Sequence, residues 1–234
     1  MNSHPQLPLG LALKDSARFN SYFPGPNLET VHGLQQSATG CGEELVYVVG
    51  AAGMGKTHLL QAACYDAAES GRTTGYLPLQ QLLAYTASVF DDLEQLDLVC
   101  IDDVSAIAGQ DDWERGLFDL FNRIRQSGGT LLIAGDKRQD QAGFRLPDLV
   151  SRLGWGVTYI LKPLDDDAIS AALVYRARAR GLQLPEETVQ YLLRRFPRNL
   201  ATLFALLDTL DNASMVEQRR LTVPFVKSVL DNNR

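Results

Sequence analysis

Eight consecutive residues, Gly50-Ala51-Ala52-Gly53-Met54-Gly55-Lys56-Thr57, fit the spacing G-x-x-x-x-G-K-[ST] at every fixed position. Their flanks narrow the choice of fold further. Leu45, Val46, Tyr47, Val48 and Val49 read as a buried strand running in. Thr57 to Glu69 reads as a helix running out, with Leu59, Leu60, Ala62, Ala63 and Cys64 on its core face. A glycine loop between a strand and a helix aims backbone N–H groups, at the positive end of the helix, around a polyphosphate. Side chains at Gly50, Gly53 or Gly55 would block that approach. Lys56 adds a point charge near the phosphates, and Thr57 offers a hydroxyl to Mg²⁺.

The rest of the chain alternates strands and helices as far as residue 161. Gly71 reads as the cap of the first helix, Thr74–Leu79 as a strand and Leu82–Phe90 as a short helix. Leu96 to Ile101 is an apolar strand closing on Asp102-Asp103. In that setting Asp102 would hold Mg²⁺, directly or through water, and Asp103 would orient the attacking water. Asp111 opens a helix in which Asp111 and Glu114 resemble a capping box, and Gly128 ends it. Thr130–Gly135 is another buried strand, tipped by Asp136. Two readings of Asp136 stand level: a polar sensor of the terminal phosphate, or an acid in a turn. Val157–Leu161 is the last strand. The pattern predicts a parallel, helix-covered sheet with its phosphate site at the carboxyl ends of the strands.

Pro163 and the run Asp165-Asp166-Asp167 mark a boundary, after which no strand pattern returns. Helices are predicted at Asp165–Arg180, Pro185–Phe196, Leu200–Ala213 and Val223–Leu230. The expected division is therefore a leader over 1–16, an α/β domain over 17–163 and an all-helical domain over 164–234. Within the leader, Gln6, Leu7, Leu9 and Leu11 would show one apolar face when extended, which suits an edge strand and a docking peptide equally. The aromatic stretch Phe19 to Pro26 fits either a lid over a base or a packed lead-in segment.

The net charge of −6 argues against a chain whose main work is to coat nucleic acid. The negative charge is concentrated before Leu164. Three cysteines, Cys41, Cys64 and Cys100, lack metal spacing, and two of them fall on apolar faces, so buried free thiols and a reducing compartment are expected. There is no signal peptide and no apolar run long enough to cross a bilayer, so the expected location is cytoplasmic.

The plan of strand, phosphate loop, acid-tipped strand, sensor strand and helical lid is that of AAA+ proteins. Particular words bring it closer to the DnaA/Hda family: Gly53 to Leu60, Ile101-Asp102-Asp103, Phe121-Asn122, Ala134-Gly135-Asp136 and Ser151-Arg152-Leu153-Gly154-Trp155-Gly156 all resemble that family. The chain stops after Leu221 to Lys227, where DnaA itself continues into a DNA-binding domain, and it has no long N-terminal self-association domain. The leader resembles a peptide that docks on the replicative sliding clamp. The resemblance is therefore to the Hda branch, and it implies a regulator that acts with the DNA-loaded clamp, the beta subunit of DNA polymerase III. Such a regulator makes DnaA hydrolyse its bound ATP and so prevents re-initiation of DNA replication.

Carried over by residue, the resemblance implies that Gly50, Gly53, Met54, Gly55, Lys56, Thr57 and His58 hold ADP or ATP, with Thr57 and Asp102 on Mg²⁺. Asp136 matches the first sensor. Arg152 matches an arginine finger offered to the nucleotide of DnaA. Gln6, Leu7, Leu9 and Leu11 match the clamp motif. DnaA and the clamp are the implied partners, with homodimerisation or AAA+-type self-assembly beside them, little direct nucleic-acid binding and no membrane. Two positions depart from the pattern. Gly10 stands where many such clamp peptides have proline, and Ala201 stands where the second sensor has arginine. Arg198 lies three residues before Ala201, a spacing that shares a helix face. Asp103 is shorter than the Glu of many AAA+ proteins, so slow or absent hydrolysis is expected in the chain's own site. Two rival functions remain at this stage: a DNA-handling AAA+ ATPase such as a helicase loader, and a purely tethering clamp adaptor.

Overall fold

A computed structural model describes residues 17–217 and 219–232. The clamp-type residues Gln6, Leu7, Leu9 and Leu11 lie outside the described residues.

Five strands form one parallel sheet in the order β2-β3-β4-β1-β5, where β1 is Leu45–Val49, β2 Thr74–Pro78, β3 Leu98–Asp102, β4 Thr130–Gly135 and β5 Val157–Ile160. The three central strands are buried on both faces, which is why they read as unbroken apolar runs. Their side chains alternate between two cores. Tyr47, Val49, Val99, Ile101, Leu131 and Ile133 face α4 (Asp111–Ser127) and α5 (Pro147–Leu153). Val46, Val48, Leu98, Cys100, Leu132 and Ala134 face α1 (Leu28–Ala38) and α2 (Lys56–Glu69). Cys64 and Cys100 are free and buried in this second core, whereas Cys41 is exposed.

Three local expectations change. The strand expected through Leu79 stops at Pro78. Leu79–Leu82 is then a single helical turn, α3, and the helix expected over Leu82–Phe90 is replaced by that turn and a 3-10 turn at Ala87–Phe90. Phe90 is drawn into the core edge-on to Trp113, and this packing overrides local helical propensity. Asp111 and Glu114 also form no capping box, because the N-cap is Gln110 and its side chain makes no cap bond. Glu114 is instead almost fully buried. Its carboxyl accepts from the backbone N–H of Gly109 at 2.6 Å, Arg145 at 2.8 Å and Leu146 at 2.7 Å.

That side chain pins the loop before α5 onto the start of α4. Glu114→Ala leaves three partly buried N–H groups without their acceptor, each worth roughly 1 kcal/mol or more. The expected result in urea unfolding is a loss of about 3 kcal/mol or more. A change within half a kcal/mol of the parent, in the range of surface substitutions, would show that water replaces the carboxyl freely.

Beyond Leu161, four helices pack around their own core: α6 (Asp166–Ala179), α7 (Glu186–Arg195), α8 (Leu200–Glu217) and α9 (Val223–Asn232). Leu173, Leu192, Leu203, Leu207, Phe225 and Val226 form its centre. Asp165 caps α6 by accepting from the N–H of Ala168. No described helix is long and apolar enough to cross a membrane.

Candidate nucleotide site

The strand order puts the carboxyl ends of β3, β4 and β1 side by side, so Asp102, Asp136 and the loop after Val49 converge at one edge of the sheet. The loop carries two left-handed glycines, Gly53 with φ +82° and Gly55 with φ +85°. Any other residue would be strained there. At Gly55 a Cβ would also come within 2.7 Å of the Tyr22 ring. The lysine of the loop is buried, and its Nζ donates to the carbonyls of Gly50 at 2.7 Å and Ala51 at 3.3 Å.

Thr57 Oγ1 donates to Asp102 Oδ2 at 2.6 Å, and Tyr76 in β2 donates to the same oxygen at 2.8 Å. The N–H of Asp103 holds the other carboxylate oxygen at 3.0 Å. Sequence pattern did not single out Tyr76. It is placed because β2 pairs with β3 in a register that sets Tyr76 opposite Cys100. Burial, followed by the charge of Asp102, pushes the Tyr76 hydroxyl well above its ordinary pKa.

Asp103 has φ +54°, one of two non-glycine residues with positive φ among the described residues. Burial raises its pKa, the neighbouring Asp102 adds to the rise, Lys56 opposes it and Asp136 adds a little more. Asp136 accepts from the Ser105 hydroxyl, and that bond is the main reason its pKa is lowered. A hydroxyl against a carboxylate, beside a buried lysine and a glycine loop at a helix start, is a donor set that fits a Mg²⁺–polyphosphate. Among the described residues no three His, Cys, Asp or Glu side chains cluster as a metal site.

These groups open on a cavity of about 1090 Å³ between the α/β domain and the helices after it. The stretch from Phe19 to Pro26 both packs and lines. Tyr22 sits on the loop, its hydroxyl donates to Met54 O at 3.3 Å, and burial raises its pKa to about 12. His58 faces this segment, with Nε2 2.9 Å from the carbonyl oxygen of Arg18. Asn27 clamps the segment to the end of the sheet by two hydrogen bonds to the backbone of Lys162. From the helical side come Asn199, Ala201 and Phe204. Arg198 lines the cavity too, but it is exposed and its guanidinium is paired with Asp166 at 2.6 Å. Arg176 also lines it, together with Asp208.

Arg152 is not part of this lining. It sits in the last turn of α5, on the face of the sheet opposite α2. Its guanidinium carbon lies 4.0 Å from the centre of the Trp155 ring, and Arg125 approaches the same ring at 4.6 Å. Trp155 is 52% exposed and meets Phe121 edge-on.

Two family matches tile the described chain. Residues 165–230 match "Hda, lid domain", and residues 13–160 match the bacterial DnaA ATPase domain. Among solved structures, domain III of the Thermotoga maritima replication initiation protein DnaA superposes with a TM-score of 0.78 at 22% identity, over 94% of this chain and 98% of that one. AMPPCP-bound DnaA from Aquifex aeolicus gives 0.70 at 21% identity, over 84% of this chain and 66% of that one. The Thermotoga maritima RuvB Holliday junction branch migration motor gives 0.66 at 14% identity, over 92% and 73%. At these identities the structural matches establish a shared fold, and the family matches carry the assignment. With an ATPase-domain match over most of its length and an Hda-type lid behind it, the chain belongs to the DnaA/Hda family of AAA+ proteins.

Proposed function

We propose that this protein is a nucleotide-liganded regulator that inactivates DnaA by stimulating hydrolysis of DnaA-bound ATP, together with the sliding clamp on DNA. The observation that carries this reading is the position of Arg152. It lies outside the chain's own cavity, presented on an exposed indole where a second molecule can meet it. A guanidinium so placed is suited to a phosphate that another chain holds. The Hda-type lid supports the same reading.

In this reading ADP or ATP fills the chain's own site. Gly50, Gly53, Gly55 and Lys56 cradle phosphate, while Thr57 and Asp102 share Mg²⁺. When bound, the metal neutralises phosphate charge. Asp103 is the residue that would orient water, and its short side chain and burial-raised pKa suit a site that turns over slowly. The nucleotide then acts chiefly as a structural ligand between the two domains. DnaA and the clamp are the partners, self-association follows the AAA+ pattern, and the protein works in the cytoplasm. The deciding experiment is to add it, with DNA-loaded clamp, to its own organism's DnaA carrying labelled ATP and to follow conversion to ADP. No acceleration would leave the fold standing and sink the regulator.

The leader has a separate test. An extended peptide can bury alternate leucines in an apolar groove while its backbone is paired. Gln6→Ala with Leu9→Ala is expected to remove binding to DNA-loaded clamp while the ADP-dependent rise in melting temperature stays as in the parent. Undiminished clamp binding would place the docking surface elsewhere in the chain.

A further inference from the structure

The carboxylate of Asp102 is 1% exposed and is held by three donors. Its Oδ2 accepts from the Thr57 hydroxyl at 2.6 Å and from the Tyr76 hydroxyl at 2.8 Å, while its Oδ1 accepts from the N–H of Asp103 at 3.0 Å. Thr57 and Asp103 belong to segments whose chemistry is local in the sequence. Tyr76 belongs to β2, an outer strand of the sheet, and reaches Asp102 only through the fold. The register sets Pro78 opposite Asp102, so Tyr76 and Asp102 share a face of the sheet and the phenol spans the diagonal between them.

The hydroxyl of Tyr76 is itself directed. Gln61, buried in α2, meets it with a side-chain hydrogen bond. An amide N–H donating to the phenol oxygen leaves the phenol hydrogen to Asp102. The ring packs against the core beneath α2. Neither Tyr76 nor Asp102 lines the cavity, whereas Thr57 is exposed there. The network therefore runs from Tyr76 through a buried carboxylate to a hydroxyl at the surface of the site. A hydroxyl that gives its hydrogen to a carboxylate keeps its lone pairs for a cation. Asp102 can hold Thr57 in that sense only while its own plane is fixed, and Tyr76 is the side-chain donor that fixes it from behind.

We propose that Tyr76 is a positioning residue for the magnesium that accompanies the nucleotide, orienting Asp102 and, through it, the Thr57 hydroxyl. The inference rests on the reading of Thr57 and Asp102 as the metal side of a nucleotide site. Groups behind a metal's ligands orient them, and losing one costs roughly tenfold or more in metal affinity.

The test compares the full chain with Tyr76→Phe, which keeps the ring and loses one oxygen. ADP is titrated calorimetrically into each protein in Mg²⁺ and again in EDTA. Mn²⁺, standing in for Mg²⁺, is then titrated into each ADP-loaded protein and followed by the electron paramagnetic resonance of the free ion. In EDTA the variant is expected to bind ADP as the parent does, which reports an intact phosphate loop. The tightening of ADP by Mg²⁺ should shrink, and the Kd for Mn²⁺ should rise roughly tenfold or more. An unchanged response to both metals overturns the role of Tyr76 and leaves the metal site standing. An equal loss of ADP affinity in Mg²⁺ and in EDTA also overturns it, since that pattern marks Tyr76 as packing alone. A parent whose ADP binding ignores Mg²⁺ overturns the metal reading beneath the proposal, and a parent that binds no ADP overturns the nucleotide reading itself.

Discussion

Lys56→Ala is expected to yield a folded chain that no longer binds ADP. The lysine is the one cation within the glycine loop, and it is buried with its ammonium 2.7 Å from Gly50 O. The β strands and both cores are built without it, since the clusters on either side of the sheet consist of apolar side chains from β1, β3, β4 and the helices around them. What the variant loses is the charge that a polyphosphate needs at the end of a glycine-lined cradle. A ligand that binds only the native state, present at a hundred times its Kd, stabilises by about 2.7 kcal/mol. For a chain of this size that is a rise in melting temperature of roughly 5–10 °C. The parent should show that rise with ADP and Mg²⁺, and Lys56→Ala should show none. Equal rises in both proteins would mean that the nucleotide binds elsewhere.

The loop was legible because its chemistry is local: phosphate, lysine and hydroxyl are met by residues within eight positions of one another. The central strands were legible for a similar reason, being buried on both faces and rich in Val, Leu and Ile. Beyond such local patterns the sequence spoke less clearly. Glu114 has the spacing of a helix cap, but its partners include Arg145 and Leu146, which only the fold brings near. Arg176 and Asp208 look like ordinary charges on helix surfaces. They become a pair because α6 and α8 pack side by side with Phe204 between them and the cavity in front. The helix expected to end at Ala213 runs on to Glu217, since no glycine or proline intervenes to stop it. Ala201 is the converse case. The sequence showed a missing cation there, and the structure shows Arg198 committed to Asp166.

Arg152→Ala is expected to abolish the stimulation of DnaA while leaving fold, ADP binding and clamp binding unchanged. Two other uses are open to such an arginine: an ion pair to Asp148, and free exposure to solvent. The guanidinium instead stacks on Trp155 at 4.0 Å. The contact holds the guanidinium over the indole face, at a modest gain of roughly 0.5–1 kcal/mol for an exposed ring. Arg125 on the same indole adds a second positive charge to the patch that a phosphate or an acidic surface would meet. Neither cation needs the patch for stability, because Leu149 and Leu153 anchor α5 in the core beneath it. At a partner's site the finger opposes the charge that builds on the transferring phosphoryl group, an effect worth on the order of a thousandfold in rate or more. Arg152→Lys should fail as well, since an ammonium neither stacks in plane nor offers the fork. Single-turnover conversion of labelled ATP on DnaA, with clamp and DNA present, measures all three proteins side by side. Full stimulation by the alanine variant would remove the finger and leave a tethering adaptor, whereas a drop of a thousandfold in Arg152→Ala, matched by Arg152→Lys, fixes the planar guanidinium as the group that the protein lends to its partner.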